Sequence, residues 1–104
     1  MNLNQLQYFK ILAQEEHYTR AAQILSITQP SLSHAIAQLE EELGTRLFEK
    51  KGRNIVLTRY GKLFLPYVEE SLKVLEEGVQ RTKELMESLL ILIILLRMVT
   101  ELRL

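Results

Sequence analysis

The sequence contains no cysteine, no aspartate and no tryptophan, and it has only two prolines. Without cysteine the chain can form neither a disulfide nor a thiolate metal site, which favours a reducing compartment such as the cytoplasm. Its first residues, MNLNQLQYFK, lack the basic and apolar segments of a signal peptide. The longest apolar run, Leu89 to Leu96, is much shorter than the roughly 20 residues of a membrane helix. We therefore expect a cytoplasmic protein with no membrane contact.

Residue types that commonly carry catalysis or bind metals are also scarce. All 13 acidic residues are glutamates, and most of them lie in short runs typical of solvated helix faces. His17 and His34 are the only histidines, and the sequence offers them no convergent set of partners for metal ligation. We expect neither an enzyme nor a bound metal or cofactor.

The formal net charge of zero hides a local basic cluster. Six basic residues and one acid, Glu49, occur between Arg46 and Lys62. Such a cluster is typical of a surface that binds phosphate or another anion, although a charge run alone also fits a solvated loop. The six basic residues are Arg46, Lys50, Lys51, Arg53, Arg59 and Lys62.

The first half of the chain predicts three helices. Apolar residues at helical spacing indicate a first helix from Asn4 to Glu16, with Asn4 as its N-cap. Thr19 can cap a short second helix, Arg20 to Leu25, whose alanines allow another helix to approach closely. A tight turn, Ser-Ile-Thr, then leads to Thr28, which can cap the third helix.

The third helix has one apolar side and one polar, largely uncharged side. Pro30 falls in its first turn, where the missing N–H costs nothing, and Gly44 supplies its end. The side predicted to face inward carries Leu32, Ile36, Leu39 and Leu43. At 100° per residue, the opposite side carries Pro30, His34, Ala37 and Glu41, flanked by Gln29, Ser31, Ser33 and Gln38.

A small hairpin and a long helix complete the predicted fold. Phe48, Ile55 and Leu57 alternate with polar residues around a Lys-Gly-Arg tip at 51–53, which predicts two short strands. Thr58 can cap the long helix, in which Pro66 predicts a kink or a slightly later start.

The long helix carries a heptad stripe that predicts dimerisation. From Leu65 to Leu96 apolar residues recur at steps of three and four, interrupted only by Thr82. Because nothing later in the chain can cover this stripe, we expect a second chain to do so. The expected dimerisation residues are Leu65, Val68, Leu72, Leu75, Val79 and Met86. Beyond them the run from Leu89 to Leu96 is apolar on every side, so it is either buried against another chain or strand-like.

Two short helices joined by a three-residue turn form a helix-turn-helix, and the basic hairpin makes it winged. The uncharged polar side of the third helix suits base edges in the major groove, where Gln29 and Gln38 can each offer adenine a donor and an acceptor. Phosphate contacts are expected from the hairpin and its surroundings, because they hold the charge. The expected phosphate-binding residues are Arg46, Lys50, Lys51 and, after its capping role, Thr28.

Several motifs resemble the DNA-binding domain of the LysR-type transcriptional regulators. They are the Ala21-Ala22 pair, TQPSLSHAIAQLE, LGTRLFEK and LTRYG followed by Leu65-Pro66. The resemblance covers residues 1 to about 87 and implies a mainly α, winged helix-turn-helix fold with a long linker helix. It further implies antiparallel pairing of that helix in a dimer, or a tetramer in a full-length regulator, and binding to interrupted palindromes.

The resemblance also assigns roles to residues. The family's base-reading positions match Gln29, Pro30, Ser31, Ser33 and His34, and its minor-groove wing residue matches Arg53. His34 stands where the family usually has arginine, and a solvated role remains open for it, as ordinary solvation does for Lys50 and Lys51.

The expected organisation has three parts. A DNA-binding domain spans 1–58, a dimerisation helix 59–87, and an apolar tail 88–104 stands where the family has a hinge and effector domain. We therefore expect no small-molecule effector site in this chain. The leading hypothesis is a sequence-specific regulator that binds a double-stranded operator as a homodimer. The alternative is an interaction fragment that pairs with full-length regulators and modulates them.

Overall fold

The computed structural model describes residues 1–102, which form four helices and a two-stranded hairpin. This confirms the predicted mainly α fold with a wing. The chain divides into two compact units, Met1–Leu72 and a second unit from Lys73 onward. The elements are α1 (Leu3–Glu15), α2 (Tyr18–Leu25), α3 (Gln29–Leu43), β1 (Phe48–Lys51), β2 (Asn54–Leu57) and α4 (Arg59–Leu102).

The first two helices begin earlier than their predicted caps. Asn2, not Asn4, caps α1, and it forms a capping box with Gln5 in which each side chain bonds the other residue's backbone. His17, not Thr19, caps α2, because its ring nitrogen accepts from the backbone N–H of Arg20 at 3.3 Å. Both helices therefore start nearer the amino terminus than predicted, and α1 also ends one residue earlier, at Glu15.

The third helix begins and ends where the sequence predicts. Thr28 accepts from the backbone N–H of Ser31 at 3.2 Å, and Gly44 ends the helix in the left-handed conformation at φ 75°. Leu32, Ile36 and Leu39 are all buried, as predicted. Leu43 is wrongly predicted, because it lies in the last turn and is 37% exposed.

Aromatic contacts in the core of the first unit join α1, the hairpin and the start of α4. The ring of Phe9 meets the ring of Phe48 edge-on at 5.5 Å between centroids, and it lies 5.4 Å from Phe64 of α4. Ala21 and Ala22 are buried, so α2 can approach the other helices closely. The remaining buried apolar residues are Leu12, Leu32, Ile36, Leu39, Leu47, Ile55 and Val68.

Specific hydrogen bonds hold the hairpin against the helices. The Glu40 carboxylate accepts from the backbone N–H of Leu47 at 2.7 Å, which ties the end of α3 to the start of β1. Ile55 donates its backbone N–H to the carbonyl of Glu16 at 3.1 Å, which ties β2 to the end of α1. The position of the wing relative to α3 is therefore set by buried apolar contacts together with these bonds.

The fourth helix starts at Arg59 and continues through Pro66. The hydroxyl of Thr58 accepts from the backbone N–H of Gly61 at 3.2 Å, which confirms the predicted cap. The expectation of a later start is wrong, because Pro66 lies inside the helix. The apolar segment from Leu89 to Leu96 is helical rather than strand-like, and residues 103 and 104 lie outside the described residues.

Candidate nucleic-acid interface

The outward side of α3 is a polar surface that is almost free of charge. Pro30, Ser33 and His34 are exposed, as are Ala37 and Glu41, and they lie opposite the buried leucine and isoleucine positions. Glu41 is the only one of these five that carries a formal charge. Gln29, Ser31 and Gln38 are also exposed, so the structure leaves all six predicted base-reading side chains accessible.

At the start of α3, Thr28 and Ser31 bond to each other. The Thr28 hydroxyl accepts from the backbone N–H of Ser31 at 3.2 Å and donates to the Ser31 hydroxyl oxygen at 2.8 Å. Thr28 thus acts first as a cap, and its hydroxyl proton is already used. The Ser31 hydroxyl keeps its own proton, so it can still donate to an acceptor outside the protein.

Gln29 lies beside the wing in a shallow cleft. The Thr19 hydroxyl donates to Gln29 Oε1 at 3.2 Å. Thr19, which was wrongly predicted to cap α2, therefore contacts a residue predicted to bind base edges. Gly52 has φ 64° at the hairpin tip, a left-handed conformation that suits glycine. The cleft is lined by His17, Thr19, Gln29, Lys50, Gly52 and Arg53, among others.

The other two predicted phosphate-binding residues lie elsewhere. Arg46 lines a separate cleft along α3 with Ser33 and Ala37, and its Nε is 3.4 Å from Glu40 Oε2. Lys51 lines a third cleft beside Glu16 and Glu49. The basic residues of the sequence cluster therefore divide, and only Lys50 and Arg53 share a cleft with Gln29.

Tyr18 lines the cleft that contains Arg46 and is half-buried. Burial raises the pKa of Tyr18 above its ordinary value of 10.0, the Glu40 carboxylate raises it further, and Arg46 opposes both. Tyr18 therefore stays neutral over the physiological range and can serve as a hydrogen-bond donor.

Gln38 is held by a residue that sequence reasoning missed. Gln5 of α1 is 7% exposed, and its Nε2 donates to Gln38 Oε1 at 3.3 Å. The capping-box pattern of Asn2 and Gln5 is visible in the sequence and could have located the start of α1. Its connection to Gln38 depends on the packing of α1 on α3, which no local pattern encodes.

The predicted dimerisation stripe divides into a covered part and an exposed part. Val68 is 2% exposed and belongs to the core, and Leu65 and Leu72 pack against that core, so these three side chains are used within their own chain. Leu75, Val79 and Met86 are 48%, 47% and 66% exposed. The part of the stripe that is accessible to a partner begins at Leu75.

Two features of residues 1–102 bear on other functional classes. No helix in this part of the chain has both the length and the apolarity needed to cross a membrane. In the same residues, no cluster of three or more histidines and glutamates is placed to hold a metal ion.

The sequence matches a family model for the bacterial regulatory helix-turn-helix proteins of the lysR family over residues 3–62. The chain belongs to this family. This LysR-type chain is 46% identical over 87 residues to the uncharacterized HTH-type transcriptional regulator YybE of Bacillus subtilis, an alignment that covers 84% of the chain and 30% of YybE. It is 40% identical over 95 residues to the HTH-type transcriptional regulator AlsR of Bacillus subtilis, covering 88% of the chain and 32% of AlsR. The family is one of transcriptional regulators rather than enzymes, and the chain spans about a third of these relatives' length.

Solved structures of LysR-type DNA-binding domains share the fold. The chain aligns with the BenM DNA-binding domain in its complex with benA site 1 DNA at a TM-score of 0.77 and 39% identity, over 82% of this chain and 99% of that one. It aligns with the CbnR DNA-binding domain in its DNA complex at a TM-score of 0.75 and 31% identity, over 80% and 95%. The resemblance read from the sequence motifs is thus confirmed.

Proposed function

We propose that this chain is the DNA-binding part of a LysR-type transcriptional regulator that reads a palindromic operator as a homodimer in the cytoplasm. In this proposal α3 enters the major groove and the hairpin tip reaches the adjacent minor groove. The observation that carries it is the cleft in which Gln29, at the start of α3, meets Lys50 and Arg53 of the hairpin. The BenM and CbnR domains were solved as DNA complexes, which supports the same partner for this chain.

The polar surface of α3 and the basic hairpin tip differ in chemistry. The first suits contacts with base edges, and the second suits contacts with the DNA backbone. Hydroxyl and amide side chains on α3 can discriminate base edges through hydrogen bonds, and an exposed carboxylate such as Glu41 disfavours close approach to phosphate. Lys50 and Arg53 carry the positive charge that releases counterions from the DNA backbone. We assign base readout mainly to Gln29, Pro30, Ser31, Ser33 and His34.

The dimer is proposed from the exposed apolar residues of the second unit. Leu75, Val79 and Met86 lie on one heptad stripe of α4, and about half or more of each side chain is exposed. Apolar side chains at such spacing are stabilised when a second helix removes them from water. Two copies would present two α3 helices, which requires an operator with two half-sites.

Selection of sites from random duplex DNA, with the purified chain at about 150 mM salt, tests this function. We expect an enriched palindrome with half-sites about one helical turn apart, and loss of the enrichment in Gln29→Ala. A folded dimer that enriches no site would contradict the proposal. Gln7→Ala, an exposed glutamine of α1, is the matched control and should select the same palindrome as the parent.

The apolar end of α4 favours a second candidate function, pairing with full-length regulators of the same family. Leucine and isoleucine from Leu89 to Leu96 are each between 50% and 62% exposed, so this segment offers a contact surface on every side. Co-expression with a tagged full-length homologue such as AlsR would test it. Recovery of homodimers alone, with no mixed species, would rule this role out.

A further inference from the structure

We propose that Gln5, a buried residue of α1, sets which hydrogen-bonding group Gln38 presents to DNA. The inference rests on the proposed function, because it assigns a positioning role behind one residue of the α3 surface. It starts from a chain of three groups, the Asn2 backbone, the Gln5 amide and the Gln38 amide, that runs from the start of α1 to α3.

The orientation of the Gln5 amide is fixed by the capping box. The backbone N–H of Asn2 lies 3.1 Å from Gln5 Oε1, and a backbone N–H can only donate. The atom that faces it must therefore be the amide oxygen. Gln5 is 7% exposed, so water competes little for this bond. The nitrogen of the same amide then has to lie on the other side, 3.3 Å from Gln38.

The same reasoning determines the orientation of the Gln38 amide. The Gln5 Nε2 group can only donate, so the Gln38 atom that faces it must be Oε1. An amide is planar, and its oxygen and nitrogen occupy separate corners of the group, so the corner that faces Gln5 Nε2 is taken by the oxygen. The bond to Gln5 engages Oε1 and not the N–H groups of Gln38, and the residue as a whole is exposed. Gln38 thus offers donors to a ligand.

This orientation of the Gln38 amide changes which DNA bases we expect it to recognise. Bidentate recognition of adenine requires the amide oxygen and nitrogen to face the same base edge, and the bond to Gln5 opposes this by holding Oε1 toward α1. Donors instead pair with acceptor oxygens and nitrogens, and in the major groove these are O6 and N7 of guanine and O4 of thymine. A phosphate oxygen has the same chemistry, so the experiment must separate a base edge from the backbone.

Gln5→Glu reverses the orientation while keeping the cap. A glutamate at this position still accepts from the Asn2 N–H, and capping boxes favour it. Its carboxylate cannot donate, so the Gln38 amide should turn to bring its own N–H groups to Glu and its oxygen outward. Gln38 would then accept from the amino groups of cytosine or adenine. Gln7→Glu adds the same charge at an exposed site on α1 and serves as the control.

The test is site selection on random duplex DNA with the parent and both variants, followed by titration of the selected sites. We expect one position in each half-site to change from guanine or thymine to cytosine or adenine in Gln5→Glu alone. The expected change in relative affinity is about threefold to tenfold, the usual net effect of one hydrogen bond. Gln38→Glu, which also presents an outward acceptor, should shift the same position.

Each other outcome has a defined meaning. A loss of affinity that is larger in Gln5→Glu than in Gln7→Glu and equal for every sequence would support donation to phosphate rather than to a base. Identical selection and affinity in both variants would overturn the proposal. If the parent selects no site, the proposed function fails instead. The amide orientation is then read by NMR, where missing contacts between the Gln5 side-chain N–H protons and Gln38 would overturn it.

Discussion

Substituting alanine for Gly61 should destabilise the first unit, although alanine is the better helix former. Gly61 is buried in the first turn of α4, where the helix crosses the carbonyl of Leu47. A Cβ atom at this position would overlap that carbonyl oxygen and lie 2.7 Å from a methyl carbon of Leu57. The Leu57 side chain can move, but the Leu47 carbonyl is held by the Thr58 N–H at 2.9 Å.

The expected change in the free energy of unfolding of Gly61→Ala follows from two opposing effects. Overpacking in a rigid interior costs up to about 3 kcal/mol. Alanine recovers about 1 kcal/mol through its higher helix propensity. The net change is a loss of about 2 kcal/mol in the free energy of unfolding, or a fall in Tm of about 10 °C for a domain of this size.

Gly78→Ala is the matched control, because the two glycines lie in the same helix. A Cβ at Gly78 meets no atom within 4 Å, so only helix propensity acts, and we expect a gain of about 0.5 to 1 kcal/mol. Both variants are compared with the parent by thermal unfolding followed by circular dichroism. A Gly61→Ala chain as stable as the parent, or more stable, would refute the packing argument.

Three further variants test the fold and the assembly. Thr28→Ala removes the α3 cap and should lower the unfolding free energy by about 1 kcal/mol in chemical denaturation; an unchanged midpoint would contradict the capping role. Val79→Glu should shift the proposed dimer to monomer in sedimentation at micromolar concentration, whereas Gln80→Glu, at the exposed neighbouring residue, should not. Equal behaviour of the two variants would show that the stripe is not part of the interface. Burial and the Glu40 carboxylate raise the pKa of Tyr18, so the unfolded chain loses this proton first and stability should fall as the pH rises above about 10. Tyr18→Phe should show a smaller fall, and identical profiles would contradict this assignment.

Those parts of the fold that depend on local chemistry can be predicted from the sequence. Thr28, Pro30 and Gly44 mark α3 because capping, proline and left-handed preferences act within a few residues of the helix ends. The hairpin is equally local, since its tip requires a positive φ that Gly52 supplies. These elements also carry most of the proposed DNA contacts.

The remaining features depend on packing between distant segments. The stripe on α4 is continuous in the sequence, but the structure uses Val68 for the core of its own chain and leaves Val79 exposed. Periodicity gives the direction of a side chain and not the partner that covers it. The contact between Gln5 and Gln38 spans 33 residues and could not be predicted from either local pattern.

In the proposed complex, α3 specifies the DNA sequence and the hairpin holds the DNA backbone. This division of roles is tested by measuring affinity for a selected site and for a scrambled duplex between about 50 and 200 mM salt. Gln29→Ala should reduce the ratio of the two affinities without changing the salt dependence. Lys50→Ala should reduce the slope of log affinity against log salt by about 0.9 for each subunit's lost phosphate contact and leave the ratio unchanged. If Gln29→Ala altered only the slope, or Lys50→Ala only the ratio, the assignment of the two surfaces would be wrong.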